Sequence, residues 1–325
     1  MLELLVAMSV TVILLGMVTF MTGVSMDGYK GSRDKVVAGR QAKEALDAIT
    51  KDFEAMVARA DGSDNMWLYA AVEPKLSPPS GGAPLALSGP AGKATANSCQ
   101  LIFFTGAPDR YGGDIGGDTN QGGDVSAVAY RLIYWDPISS QLDPDANDTG
   151  DFPAFTFYRH LVDPNDTFEN LLGVDDLERE YRVQQPSSDD PVNTVYYKLG
   201  LQADSVIAEN IYEFTVTFLV QTGAGVSRFT IGDESPEQGP AGPYHAFAIK
   251  GNGVYVIDAK PSNFPNIVKN WGAAINGGQL VGVEIGMTVL SERGLVMTEK
   301  GGMTRQDIIK DYGIHYTHTI NVPRF

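Results

Sequence analysis

A single cysteine, Cys99, stands in a chain of 325 residues, so no internal disulfide can staple it and its stability must come from packing. Histidine is nearly as scarce. Of His160, His245, His315 and His318, the last two are three apart in a segment that reads as a strand, which points them to opposite faces rather than at one metal. Positive charge is also short: 24 Lys and Arg against 40 Asp and Glu give a net charge of −16 and a pI near 4.6. Phosphate backbones need clustered cations, so a nucleic-acid partner is excluded. Gly81-Gly82 and Gly277-Gly278 lack the Lys-Ser/Thr ending of a phosphate loop, and no Gly-x-Ser-x-Gly elbow occurs. With no nucleophile, base and oxyanion donors in a recognisable pattern, catalysis is not expected.

What the chain does have is one long apolar run. Leu4 to Met26 contain no charged side chain, and Glu3 stands directly before them. About 20 apolar residues, at roughly 1.5 Å each, cross the ~30 Å hydrocarbon layer of a bilayer. A carboxylate at the embedded end costs on the order of 2.5–3.5 kcal/mol and demands a partner. A secretory signal peptide fits poorly, because no basic residue precedes the run and Gly23-Val24-Ser25 is a weak imitation of a cleavage site. The first cations, Lys30, Arg33, Lys35 and Arg40, come after it.

A second pattern follows. Ala42, Ala45, Leu46, Ile49, Phe53, Met56, Val57 and Ala60 recur at helical spacing, while Lys43, Glu44, Asp47, Lys51, Asp52 and Glu54 are assigned to the opposite face. The spacing predicts a helix as far as Arg59, stopped by Asp61-Gly62 and weakened or bent near Gly28, Gly31 and Gly39. Downstream, short runs bounded by Gly, Pro, Asp and Asn read as strands: 100–105, 126–135, 155–160, 194–199, 211–220, 244–250, 253–258, 281–290 and 315–322. Thr304, with Asp307 three residues on, predicts a capped helix to Tyr312, and 263–275 is a weaker helical candidate.

Met1-Leu2-Glu3-Leu4-Leu5-Val6-Ala7-Met8-Ser9-Val10 resembles the processed start of the type IV pilin and type II secretion pseudopilin family. Val128 to Leu132, Ile207 to Phe214 and Gly282 to Val289 resemble successive strand motifs of J-type minor pseudopilins. Thr319 to Arg324 is similar to the closing strand of that group and of verrucomicrobial pilin-like cassette proteins. The resemblance implies an α+β fold. A transmembrane helix half (1–26) would continue as an amphipathic half (27–60) packed on a β-rich, antiparallel pilin-like head (61–325), with long extra loops at 72–98, 109–124 and 139–191. It also implies a filament subunit of the inner membrane, single-pass, with its head in the periplasm or an extracellular filament. Glu3, Leu4 and Leu5 would be the assembly residues. Partners would be other pilin or pseudopilin subunits, a prepilin peptidase and an inner-membrane assembly platform. A short basic leader, cut by the prepilin peptidase two residues before Met1 with methylation of the new amine, is expected. The alternative is a membrane-anchored extracellular binding or adhesive protein that uses the helix only as a tether.

No cofactor is expected, with one exception. Asp143, Asp145, Asn147 and Asp151 place oxygen ligands at near-alternate positions, as a calcium loop does, although Asp148 replaces the sharp-turn Gly and no Glu closes the site. Solvated Asp/Gly turns are the simpler account of the same residues, and of the glycine-rich repeat from Asp109 to Asp124.

Overall fold

The computed structural model describes residues 2–72, 99–106, 125–135, 154–183, 205–232, 246–257, 274–275, 277–300 and 302–322. One helix, α1 (Leu2–Glu54), takes up the first 53 of them. At 1.5 Å per residue it is about 80 Å long. It runs uninterrupted through Gly28, Gly31 and Gly39, since a cost of up to about 1 kcal/mol per glycine does not break a helix with long flanking runs. Gly39 has a packing role: a Cβ there would come within 3.2 Å of the Tyr316 hydroxyl.

The helix ends at Glu54, before the expected Arg59. Met56–Val57 (β1) leave it to pair antiparallel with Phe104 and Thr105, so the apolar residues that seemed to prolong the helical stripe complete a sheet instead. Asp61 then forms a local turn, accepting hydrogen bonds from the Ser63 amide at 3.0 Å and the Ser63 hydroxyl at 2.6 Å. These bonds hold its carboxyl below the usual range.

The strands follow as β2 (Met66–Val72), β3 (Cys99–Thr105), β4 (Ser126–Trp135), β5 (Ala154–Leu161), β6 (Val206–Glu209), β7 (Ile211–Thr222), β8 (Gly225–Ile231), β9 (Ala246–Lys250), β10 (Gly253–Ile257), β11 (Gln279–Leu290) and β12 (Gly313–Asn321). They form two antiparallel sheets. The first has the order β10-β9-β2-β3-β4-β5-β6, with β1 alongside β3; the second has the order β12-β11-β7-β8. The chain crosses between sheets at Asn210, whose φ of 63° gives the sharp change of direction between β6 and β7. Its carbonyl accepts from the Leu290 amide at 2.9 Å. The resulting fold is α+β, a long apolar N-terminal helix with an antiparallel β-rich region.

The inner faces of both sheets share one core with α1. Leu68, Leu101, Phe103, Tyr130 and Phe157 from the first sheet meet Phe214, Phe218, Ile285 and Met287 from the second, with Ala38, Ala42, Ala45, Ile49 and Phe53 of the helix among them. Phe53 stacks on Phe103 with ring centroids 4.4 Å apart. The outer face of the first sheet is covered too, by α2 (Pro164–Asp166), a π-helical turn (Thr167–Leu171) and α3 (Leu177–Val183). Leu171, Leu177 and Tyr181 bury Tyr69, Ile102, Phe104 and Tyr158 there. Within the span 139–191 given as an extra loop, the strand expected at 155–160 is present as β5, and residues 164–183 add a helical cover that was not expected. Two further helices, α4 (Glu292–Lys300) and α5 (Arg305–Tyr312), join β11 to β12. The expected cap is present, with the Thr304 hydroxyl accepting from the Asp307 amide at 3.2 Å.

Candidate functional site

The feature that distinguishes this molecule is the first half of α1, whose described side chains are exposed except for a half-buried Asp34. Between Leu4 and Val37 the described side chains of the helix lie outside the core, and large apolar ones stand in the open: Leu4 is 68% exposed and Phe20 73%. A soluble fold does not leave such a stripe wet. Four of its hydroxyls are satisfied locally. Ser9 donates to the Val6 carbonyl, Thr11 to Ala7, Thr19 to Leu15 and Thr22 to Val18, each at 2.8 Å. Helical backbone bonds plus these hydroxyl bonds spare those groups the need for water, as hydrocarbon requires. The chain thus has one N-terminal helix long and apolar enough to span a membrane.

Glu3 sits in the first turn of this helix with its side chain exposed, and Leu4 is exposed beside it; the side chain of Leu5 lies outside the described residues. The calcium candidates Asp143, Asp145, Asn147 and Asp151 likewise lie outside the described residues, as do 73–98, 107–124, 136–153 and 184–204. Among the described residues no group of three or more His, Cys, Asp or Glu side chains is placed to hold a metal. His315 instead bonds the Thr288 hydroxyl at 3.2 Å, and that hydroxyl donates to Glu213 at 2.7 Å.

The other half of α1 is locked. Its buried stripe begins at Ala38, 2% exposed, and three alanines, Ala38, Ala42 and Ala45, allow close approach before Ile49 and Phe53 fill the core. Beside Phe53 lies Asp52, fully buried and not on the solvent face to which its charge had assigned it. The reason is geometric: Asp52 is seven residues beyond Ala45, about 20° from it around the helix, so it points at the sheet. Arg159 of β5 grips it side-on, Nε to Oδ2 at 2.7 Å and Nη2 to Oδ1 at 3.0 Å. The Tyr130 hydroxyl donates to the same Oδ2 from the neighbouring strand, where Tyr130 and Arg159 are register partners. Burial, then the adjacent Asp52 charge, pushes the Tyr130 phenol well above its usual range, so it stays a neutral donor. Burial works against the Arg159 charge, but its bonds to Asp52 outweigh that and raise its pKa. Sequence reading missed this trio. The signal available was Arg159 itself, which shares its strand face with Phe155 and Phe157 and so demanded a buried partner.

On the opposite face of the first sheet, His160 bonds the Tyr181 hydroxyl at 2.9 Å, and Tyr69 donates to Glu178 at 2.5 Å. Burial, with the charges of Arg131 and Arg159, lowers the His160 pKa to about 4. The unfolded chain protonates this residue near pH 6.5, so between about 6.5 and 4 the unfolded state binds more protons. Stability present above that window is lost as pH falls through it, by up to roughly 1.4 kcal/mol per pH unit from this group. In urea titrations of the head, His160→Gln should flatten that part of the pH profile relative to the unaltered protein; parallel profiles would show that His160 is not the group responsible.

A cavity of about 200 Å³ lies beside Arg59, Lys250 and the Gly251–Gly253 turn, floored by Ile249, Val254 and Leu280. Among the described residues its lining holds no nucleophile and base in reach of one another. No protein-family model, curated protein or solved structure matches this chain.

Proposed function

We propose that this protein is a structural subunit of a type II secretion or type IV pilus-like filament, of the minor pseudopilin kind, and not an enzyme. The observation that carries the reading is that the membrane-competent helix and the helix locked into the head are one unbroken element, Leu2–Glu54. A tether needs only a hydrophobic segment and a slack linker. A filament subunit needs a stiff rod fixed in orientation to its head, so that packing the rods places the heads. The small-residue stripe and the buried Asp52–Arg159 pair fix that orientation. Glu3, exposed at the head of an apolar rod, sets register by pairing with an amine or cation of a neighbouring subunit, since a carboxylate in such a setting tolerates its site only when compensated. The head lies on the periplasmic side of the inner membrane or in the filament, and a prepilin peptidase and assembly platform are the implied partners. Calcium bound by the acidic segment from Asp143 to Asp151 is part of this reading, as a ligand that stabilises the head by mass action.

Two variants separate rod from tether. A Gly-Ser-Gly-Ser insertion between Gly28 and Tyr29, where the helix is exposed, should leave insertion and the head intact while abolishing crosslinking to sister subunits. Glu3→Leu should insert more readily yet co-assemble poorly, because it removes the insertion cost together with the charge that fixes register. Full co-assembly of both variants would refute the filament reading, and a head found on the cytoplasmic side by protease protection would do the same.

A further inference from the structure

The acidic balance of the whole chain conceals a local reversal. Residues 27–40 carry Lys30, Arg33, Lys35 and Arg40 against Asp27 and Asp34, a net of +2 from four cations and two anions, whereas the entire chain is −16. All four cations are exposed, and no salt bridge among the described residues engages them. The first three occupy an exposed neck: the uncharged segment ends at Met26, and the first buried helix residue among those described is Ala38.

Position along the helix decides what this neck faces. At 1.5 Å per residue, Lys30, Arg33 and Lys35 follow Met26 by about 6, 10 and 13 Å, and the headgroup layer is about 5–8 Å thick on each side of the hydrocarbon. Long flexible side chains reach back several ångströms, so these three cations can meet lipid phosphates. At 100° per residue they do not form a stripe: Lys35 lies about 140° from Lys30 and Arg33 about 60° to its other side, so they surround the rod. Tyr29, 73% exposed, stands at the same level, where an aromatic ring with a polar tip is favoured. The head beyond is acidic and is repelled by an anionic surface.

We propose that Lys30, Arg33 and Lys35, with Tyr29, form a collar that recruits anionic phospholipid headgroups around the base of the rod and so sets the height of the acidic head above the membrane. Only the membrane-spanning helix is required, so the collar is independent of filament assembly and of Glu3. Each cation near a charged surface contributes a factor of about five in association, which shrinks as salt shortens the Debye length.

The test reconstitutes the full chain into vesicles of phosphatidylcholine alone or with about one third phosphatidylglycerol, chosen so that the collar meets many anionic neighbours. The association of spin-labelled phosphatidylglycerol is compared with that of spin-labelled phosphatidylcholine at low and high salt. The expected result is at least about fivefold selectivity for phosphatidylglycerol, weakened by salt. Lys30→Gln/Arg33→Gln/Lys35→Gln should lose it, Lys30→Arg/Lys35→Arg should keep it, and Glu3→Leu should leave it unchanged. Equal association of the two lipids, or selectivity that survives the triple glutamine variant, would overturn the collar. So would crosslinking of Arg33 to the acidic head of a second copy in lipid-free neutral detergent, because the neck would then be a protein interface.

Discussion

Leu14→Arg with Val18→Arg is expected to move the full-length protein from the membrane to the soluble fraction without unfolding its head. The 11 Leu, Ile, Val and Phe residues between Leu4 and Val24 contribute roughly 0.3–0.6 kcal/mol each to insertion, some 3–7 kcal/mol together. Two arginines at mid-helix cost about 5–7 kcal/mol and also remove two of those residues, so the balance reverses. Positions 14 and 18 are four apart and lie on one face, 57% and 60% exposed, so the substitutions disturb no packing in the head. The matching experiment removes the segment. A chain beginning at Asp27 should be soluble and β-rich, because the core begins at Ala38 and every strand lies beyond it. Fractionation after a high-salt wash, with circular dichroism of the recovered protein, checks both. If the shortened chain stays on the membrane after that wash, a second membrane-binding surface exists in the head and the single-anchor topology fails.

How much of this was legible before the fold was known depends on which faces each element buries. Strand β4 was read to its exact ends, 126–135, and β11 and β12 to within two residues, because Gly, Pro or a capped helix bounds them and their apolar content is high. Strand β2 was missed altogether. The strand sits between β3 and β9 with Met66 to Ala71 buried on both faces, so it shows no polar alternation to read. The cover over the outer face, Pro164 to Val183, was hidden for a different reason: its turns are too short to establish a helical period, and they fell inside a span taken as an extra loop because the chain is longer than the proteins it resembles. Strand β8 follows β7 through a hairpin in which Gly225 takes a φ of 127°, and its mixed residues carry little apolar signal on an exposed edge. The projecting rod was the most legible part of the candidate site, since hydrophobicity without interruption needs no tertiary knowledge. The anchor was the least: charge placed Asp52 outside, and only its spacing from Ala45 placed it inside.

That anchor supplies the largest expected loss of folding stability. In the chain beginning at Asp27, Asp52→Leu should destabilise the head by about 3–5 kcal/mol, since it strands the Arg159 guanidinium, only 15% exposed, and leaves the Tyr130 hydroxyl without its acceptor. Against a total of about 5–15 kcal/mol for a typical domain, such a loss is a large fraction of what is there. Undoing the partner should restore much of it. Asp52→Leu combined with Arg159→Met removes both charges, and similar buried pairs replaced by apolar side chains of like volume are neutral or more stable by about 1–4 kcal/mol. Urea midpoints of the two single variants and the double should therefore be strongly non-additive, with the double more stable than Asp52→Leu alone. The pair then acts less as a source of stability than as a device of orientation: an apolar seam between α1 and the sheet can slide by a turn, whereas a side-on bond between Arg159 and Asp52 fits one register only. The double variant should fold yet lose the fixed angle of rod to head, measurable as a broadened distance distribution between spin labels at position 33 and on β4 after Cys99→Ala. If additivity holds within about 0.5 kcal/mol, or the distribution stays narrow, the buried pair is not what aligns the helix with the head.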